Sequence, residues 1–289
     1  MNSANHALLA TLVFLAAACQ GTARGRIEQV DPPRSSSVAE AADALSAADV
    51  VYLGEEHDND IGHELQLALT VELFDRRPNL VVSMEQFEAD VQVFLNAYLA
   101  DEIDEATFLT FSRPWPNYAE HYRPVVEWAK RNAVPVVAAN VPRRYARAVA
   151  HQGLGTTDHS LWTPWSVNVD EPPYLSRFMV AMGGNPHDVP GENLLRWFAA
   201  QCIKDDMMAQ SIVDALDRAR VTGSADPLVV HWCGRFHSDY RLGTVSRVAL
   251  RRPDLDQRVV SMISGDKDDR PVPEGLQLGD FVVRVPNQD

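Results

Sequence analysis

Val50-Val51-Tyr52-Leu53-Gly54-Glu55-Glu56-His57 and, far downstream, Leu228-Val229-Val230-His231-Trp232-Cys233-Gly234-Arg235-Phe236-His237 follow one plan. Each is an apolar run that ends in Gly-x-x-His. The near-continuous apolar character fits a strand covered on both faces. Glycine takes positive φ without steric penalty, so it permits a sharp exit from a strand. A histidine just beyond a strand's carboxyl end stands where open α/β sheets build their ligand crevices. Two such histidines predict one shared polar site.

Working outward, further apolar runs alternate with longer helical patterns, the signature of an α/β chain. The strands expected are Val50–Leu53, Leu80–Met84, Val134–Ala139, Leu228–Cys233, Arg258–Ile263 and Phe281–Val285. The helices expected include Ile61–Phe74, Val91–Ala100, Tyr122–Asn132 and Leu194–Ala219. Residues 86–122 and 141–193 exceed what simple crossovers need and are rich in aromatics, Pro and Gly, which suggests a cap. The reading is therefore an α/β domain over residues 38–289, with a mostly parallel central sheet flanked by helices and a helical, aromatic-rich cap.

Residues 1–19 read as an export signal: Ala7 to Ala18 is an apolar stretch too short to span a bilayer. It ends in Leu15-Ala16-Ala17-Ala18-Cys19, a lipobox-like sequence that makes Cys19 the expected lipidation site. Gln20 after the cysteine favours sorting away from an inner membrane. Residues 20–37, with Gly, Arg, Pro-Pro and Ser-Ser-Ser, read as a flexible tether. The expected location is thus outside the cytoplasm, on a bacterial membrane through a lipid anchor, facing periplasm or cell surface. Cys202 and Cys233 remain, and a disulfide between them is an open alternative to two buried thiols. A net charge of −14 argues against a nucleic-acid partner, which needs a basic stripe.

The ends of the expected strands deliver Glu55 and His57, then Glu85, then Asn140, then His237. If the strands are parallel neighbours, these groups converge. Imidazole and carboxylate are ligands that divalent zinc, manganese or iron accept. The same groups can act as acid and base, with a carboxylate orienting each histidine. Gln201 and Asp205 lie on one stripe of a helix otherwise apolar, where they either meet polar partners near this site or simply rim the helix. His63-Glu64-Leu65-Gln66-Leu67 lacks the second histidine of a zincin helix. No P-loop, dinucleotide fingerprint or nucleophile elbow is present.

Gly54-Glu55-Glu56-His57-Asp58-Asn59, Ser83-Met84-Glu85-Gln86-Phe87, Ala139-Asn140-Val141-Pro142-Arg143 and Gly234-Arg235-Phe236-His237 occur in that order. So do Trp115-Pro116-x-Tyr118, Tyr122-x-Pro124 and Gln201-x3-Asp205-x2-Met208. The set resembles the ChaN family of haem-binding lipoproteins, in a superfamily with Tiki/TraB metalloproteases and erythromycin-esterase-like hydrolases. The resemblance implies haem binding in iron uptake, with His57, His237, Trp115, Tyr118, Tyr122 and Arg143 as the candidate haem contacts. It leaves a rival: a metal-dependent peptidase or esterase, with Glu55, His57 and His237 on the metal and Glu85 activating water. In that case Glu55, Glu85, His57 and His237 would be catalytic. Asn140, Gln201 and Asp205 would support the site, and a homodimer could enclose a planar ligand.

Overall fold

The computed structural model of the chain describes residues 25–156, 160–265 and 275–287. The elements among them are β1 (Arg26–Gln29), β2 (Arg34–Ser36), α1 (Val38–Leu45), β3 (Val50–Glu55), α2 (Asp60–Arg76), β4 (Leu80–Glu88), α3 (Gln92–Leu99) and α4 (Glu105–Ser112). They continue with α5 (Arg123–Arg131), β5 (Val136–Asn140), α6 (Arg143–Gln152), α7 (Pro172–Ala181), α8 (Glu192–Val221), β6 (Leu228–Gly234), α9 (Thr244–Arg251), β7 (Gln257–Ser264) and β8 (Phe281–Val285). The strands form one sheet in the order β2-β1-β8-β7-β3-β6-β4-β5. From β8 to β5 all pairings are parallel, while β1 and β2 join antiparallel at one edge. This is the expected α/β fold with a mostly parallel sheet.

Residues of β3 and β6 are buried throughout because helices cover both faces. Leu53 and Trp232 pack with Leu69 and Leu73 of α2 on one face. Tyr52 and Val229 pack with Ile212 of α8 and Val248 of α9 on the other. The single polar atom of Trp232 donates to Thr70 Oγ1 at 3.1 Å, so the large indole is buried without a lost hydrogen bond. The chain therefore leaves β3 toward one face and leaves its neighbour β6 toward the opposite face. That divergence is a topological switch point, and it opens a crevice beyond the strand ends. Both Gly-x-x-His motifs end there.

The expected aromatic cap exists as two clusters. Phe87, Tyr98, Phe108 and Tyr118 stack on the α2 side. Tyr174, Phe178 and Phe198 pack α7 against α8 on the other side. One expectation is corrected. Part of the stretch read as a tether is sheet: Arg26–Gln29 pairs with Phe281–Arg284, and Ile27 is buried in the core. A single inward isoleucine flanked by charged residues gives an edge strand its buried face, too faint a pattern to read as alternation. Cys19 and the apolar stretch before it lie outside the described residues. No helix among the described residues is long and apolar enough to cross a membrane.

Candidate functional site

In the register of the two central strands, Gly54 stands opposite Cys233 and Glu55 opposite Gly234. The motif glycines are needed for closeness, not for the positive φ expected from the sequence. Gly234 has φ −58°, and neither glycine is among the positive-φ positions. A Cβ on Gly234 would lie 2.6 Å from Cε1 of His57, and one on Gly54 would lie 2.5 Å from Oγ of Ser238. Any side chain would push the two motif loops apart.

A bulge in β4 supplies the next groups. Met84 pairs with Ala138 and Glu88 with Asn140, so Glu85, Gln86 and Phe87 stand opposite Ala139 alone. Bulges re-aim side chains, and this one turns two neighbouring polar residues toward the crevice. Glu85 Oε2 accepts from the Gly234 N–H at 2.8 Å, and Gln86 donates to Glu55 Oε1 at 3.0 Å.

Glu85 and His237 form the buried half of the site. His237 Nδ1 donates to Asp205 Oδ1 at 2.7 Å, and Nε2 lies 3.2 Å from Glu85 Oε1. Burial alone would push this imidazole down, but the charges of Glu85 and Asp205 outweigh it and raise the group to about 10. For Glu85, burial works upward, yet the imidazolium of His237 holds the carboxyl far below the usual range. Asp205 is lowered in the same way, and it also accepts from Tyr174 Oη at 2.8 Å and Thr244 Oγ1 at 2.9 Å. His237 is thus a cation with both N–H groups committed to carboxylates. Nδ1 is held by Asp205, and Nε2 stands between Glu85 and the Gln201 amide.

Glu55 and His57 form the open half. Glu55 Oε1 accepts from His57 Nδ1 at 2.9 Å, Tyr122 Oη at 2.6 Å and Gln86, while Oε2 accepts from Gln66 Nε2 at 2.9 Å. With both oxygens occupied, Glu55 is an orienting group. Burial favours its neutral form, but the bond from His57 and the nearby imidazoles lower it. The His57 side chain is 44% exposed. Its burial lowers the imidazole, and the bond to Glu55 and the charge of Glu85 raise it by more. Its ring meets Trp115 edge to face at 4.9 Å.

These groups line a cavity of about 490 Å³, together with Asn140, Arg143, Gln201 and Lys204. The Gln201 amide is 3.0 Å from His237 Nε2, and Lys204 reaches Gln201 Oε1 at 3.5 Å. Two expected haem contacts are corrected: Tyr118 and Tyr122 are buried beneath the cavity. Tyr122 spends its hydroxyl on Glu55, and Tyr118 packs between Phe87 and Phe108. His63, Gln66 and Tyr174, which sequence reasoning gave no part in the site, stand directly behind its carboxylates. Among the described residues no three His, Cys, Asp or Glu side chains are grouped to hold a metal ion, so the divalent-metal alternative on Glu55, His57 and His237 gains no support.

Cys202 and Cys233 are both free and buried, and burial pushes both thiols up. They should resist alkylation in the native protein and react after unfolding, as mass mapping would show. Modification of either thiol without unfolding would contradict the packing.

The sequence model of a family described as haem-binding uptake, Tiki superfamily, ChaN, matches residues 41–248. Among solved structures, ChaN of Campylobacter jejuni with cofacially bound haem has a TM-score of 0.67 at 18% identity, over 91% of this chain and 97% of that one. That likeness shows the shared fold. An erythromycin esterase in its open conformation reaches a TM-score of 0.46 at 14% identity, over 91% of this chain and 83% of the esterase. The chain is also 25% identical over 237 residues, 75% of its length, to Protein RETICULATA-RELATED 5, chloroplastic, of Arabidopsis thaliana. It spans 31% of that plant protein's length.

Proposed function

The chain belongs to the haem-binding uptake, Tiki superfamily, ChaN family, and we propose that it binds haem in the cavity beyond the central strands. One observation carries this reading. His57 is held by Glu55 through Nδ1, which presents Nε2 to the cavity beside Trp115. Such an imidazole would serve as a ligand to haem iron, and a carboxylate behind the ring raises its basicity. Arg143 and Lys204 line the same cavity and suit the carboxylates of a haem. Trp115 offers an aromatic wall to a flat macrocycle.

The wider reading follows from the sequence. Export, lipidation at Cys19, attachment to a bacterial membrane and a part in iron uptake complete the proposal. A second copy of the chain would cover whatever part of the haem this cavity leaves open.

Ferric haem added to the purified protein should give a saturable Soret shift. His57→Ala should weaken binding by about 10- to 100-fold, the usual cost of losing such a ligand or its support. Tyr145→Phe should not, although Tyr145 alone of the seven tyrosines is not buried. Loss of the shift in Tyr145→Phe with retention in His57→Ala would move the iron ligand to Tyr145. No saturable shift would end the reading.

The same His57–Glu55 pair supports hydrolysis as a second reading, with Nε2 as general base toward a water in the cavity. Ester hydrolysis that survives Glu55→Gln unchanged would dismiss it.

A further inference from the structure

We propose that the amino end of α6 is an oxyanion site, where the ligand of the cavity is held by a carboxylate or phosphate group. The charges around the cavity do not balance without one. Four carboxylates line it, those of Glu55, Glu56, Glu85 and Glu88, and each already has its partners. Glu85 faces the His237 ring at 3.2 Å, and Glu55 takes bonds from His57, Tyr122, Gln86 and Gln66. Glu88 pairs with Arg113 at 2.8 Å, and Glu56 with Arg235 at 3.4 Å. Arg143 and Lys204 line the same cavity and are left over. Among the described residues Lys204 bonds only to the Gln201 amide oxygen, at 3.5 Å, and Arg143 pairs with no carboxylate.

The backbone adds to that surplus in the same place. α6 follows Pro142, and no side chain caps its first turn. The Tyr145 N–H turns back to the Pro142 carbonyl at 2.9 Å, which leaves the amides of Arg143 and Arg144 without a partner in the helix. That first turn holds arginines and no acid. The amino end of a helix is positive, so a cation there is unfavourable unless an anion joins it. Arg144 has Asp90 at 2.5 Å, and Arg143 has no such partner. Asn140, Val141, Arg143 and Ala146 all line the cavity, so the start of the helix opens onto it.

Asn140 is an independent sign of a ligand. It is only 9% exposed, and its side chain makes no hydrogen bond among the described residues. Buried amides are nearly always bonded, so one left bare on a cavity wall waits for a group from outside the chain. Its Oδ1 is sealed from solvent. Turning the amide over would seal the N–H2 instead, and orphaned buried donors are rarer than orphaned acceptors. The N–H2 therefore faces the cavity. A guanidinium, an ammonium, a side-chain amide and two backbone amides thus meet on the wall of β5, α6 and α8. Carboxylates and phosphates offer only acceptor oxygens and negative charge, which is what this wall lacks. His57 stands on the loop after β3, so the site does not depend on what His57 does. A haem would bring a carboxylate to it, and the substrate of a hydrolase its own charged end.

The test uses the full chain without haem, labelled with nitrogen-15 and titrated separately with inorganic phosphate and with acetate, ionic strength being held constant with chloride. Saturable NMR shifts are expected at the Arg143 and Arg144 amides and at the Asn140 side-chain N–H2. Saturation by acetate shows that a carboxylate fills the site, and saturation by phosphate alone restricts it to phosphate groups. Arg143→Gln and Lys204→Gln should each weaken binding by about 10-fold and together abolish it. Arg143 is exposed and Lys204 half-buried, so neither replacement opens the core. Arg147→Gln removes the same charge from an exposed position one turn along α6 and should change nothing. No saturation by either anion, or unchanged affinity in the double variant, overturns the inference. A protein that binds either anion here but takes no haem keeps this site and loses only the haem reading. One that binds haem but neither small anion keeps that reading and loses this site.

Discussion

Asp205→Ala is expected to lower the stability of the fold by about 3–5 kcal/mol, read as a fall in the urea midpoint. The aspartate is fully buried and accepts from His237, Tyr174 and Thr244 together. Its removal leaves the His237 imidazolium facing Glu85 alone and orphans two buried hydroxyls. Breaking a buried pair from one side costs far more than the pair contributes, because an uncompensated charge stays behind. Alanine also opens a void beside Gly243, where an added Cβ would lie 2.9 Å from Asp205 Oδ1. A loss below about 1 kcal/mol would mean that water reaches His237 and that the site is not the closed unit described.

Stability should also depend on pH with a plateau bounded on both sides. His237 has its value raised from 6.5 to about 10, so its contribution is complete below pH 6.5 and is lost as pH climbs toward 10. Glu85 and Asp205 are lowered from ordinary values of 4.5 and 3.8, so their contribution holds above those values and disappears as pH falls below them. The two windows overlap between pH 4.5 and 6.5, where the denaturation midpoint should be highest. His237→Gln should flatten the alkaline arm. If the alkaline decline remained unchanged in that variant, His237 would not be the group responsible.

Much of the scaffold was legible because buried strands between helices are long apolar runs. All six expected strands and the four expected helices correspond to elements of the fold. The convergence of Glu55, His57, Glu85 and His237 was legible too, since a parallel sheet brings all its carboxyl ends to one rim. What was not legible has physical reasons. The bulge that turns Glu85 and Gln86 inward leaves no mark on composition. Ser37 and Glu40 form a capping box that announces α1, a signal present in Ser37-Val38-Ala39-Glu40 and not used. His63 and Gln66 sit one turn apart on the buried side of α2, where polar residues seemed only a failed metal motif. Tyr118 and Tyr122 looked like ligands because an aromatic near a site is indistinguishable in sequence from an aromatic beneath it.

The antiparallel edge carries a consequence for how the chain reaches this state. Arg284 of β8 bonds Glu28 of β1 across 256 residues, so the first strand of the domain, paired on one side with β2, has no partner on its other side until β8 exists. In a chain made from its N-terminus, the central strands can assemble while both margins of that seam wait. Closing so long a loop is slow and late, and until then β8 shows an unpaired margin to any other strand nearby. The vulnerable interval for this fold is therefore the one after β8 is made, when the hairpin of β1 and β2 must find it before another chain does.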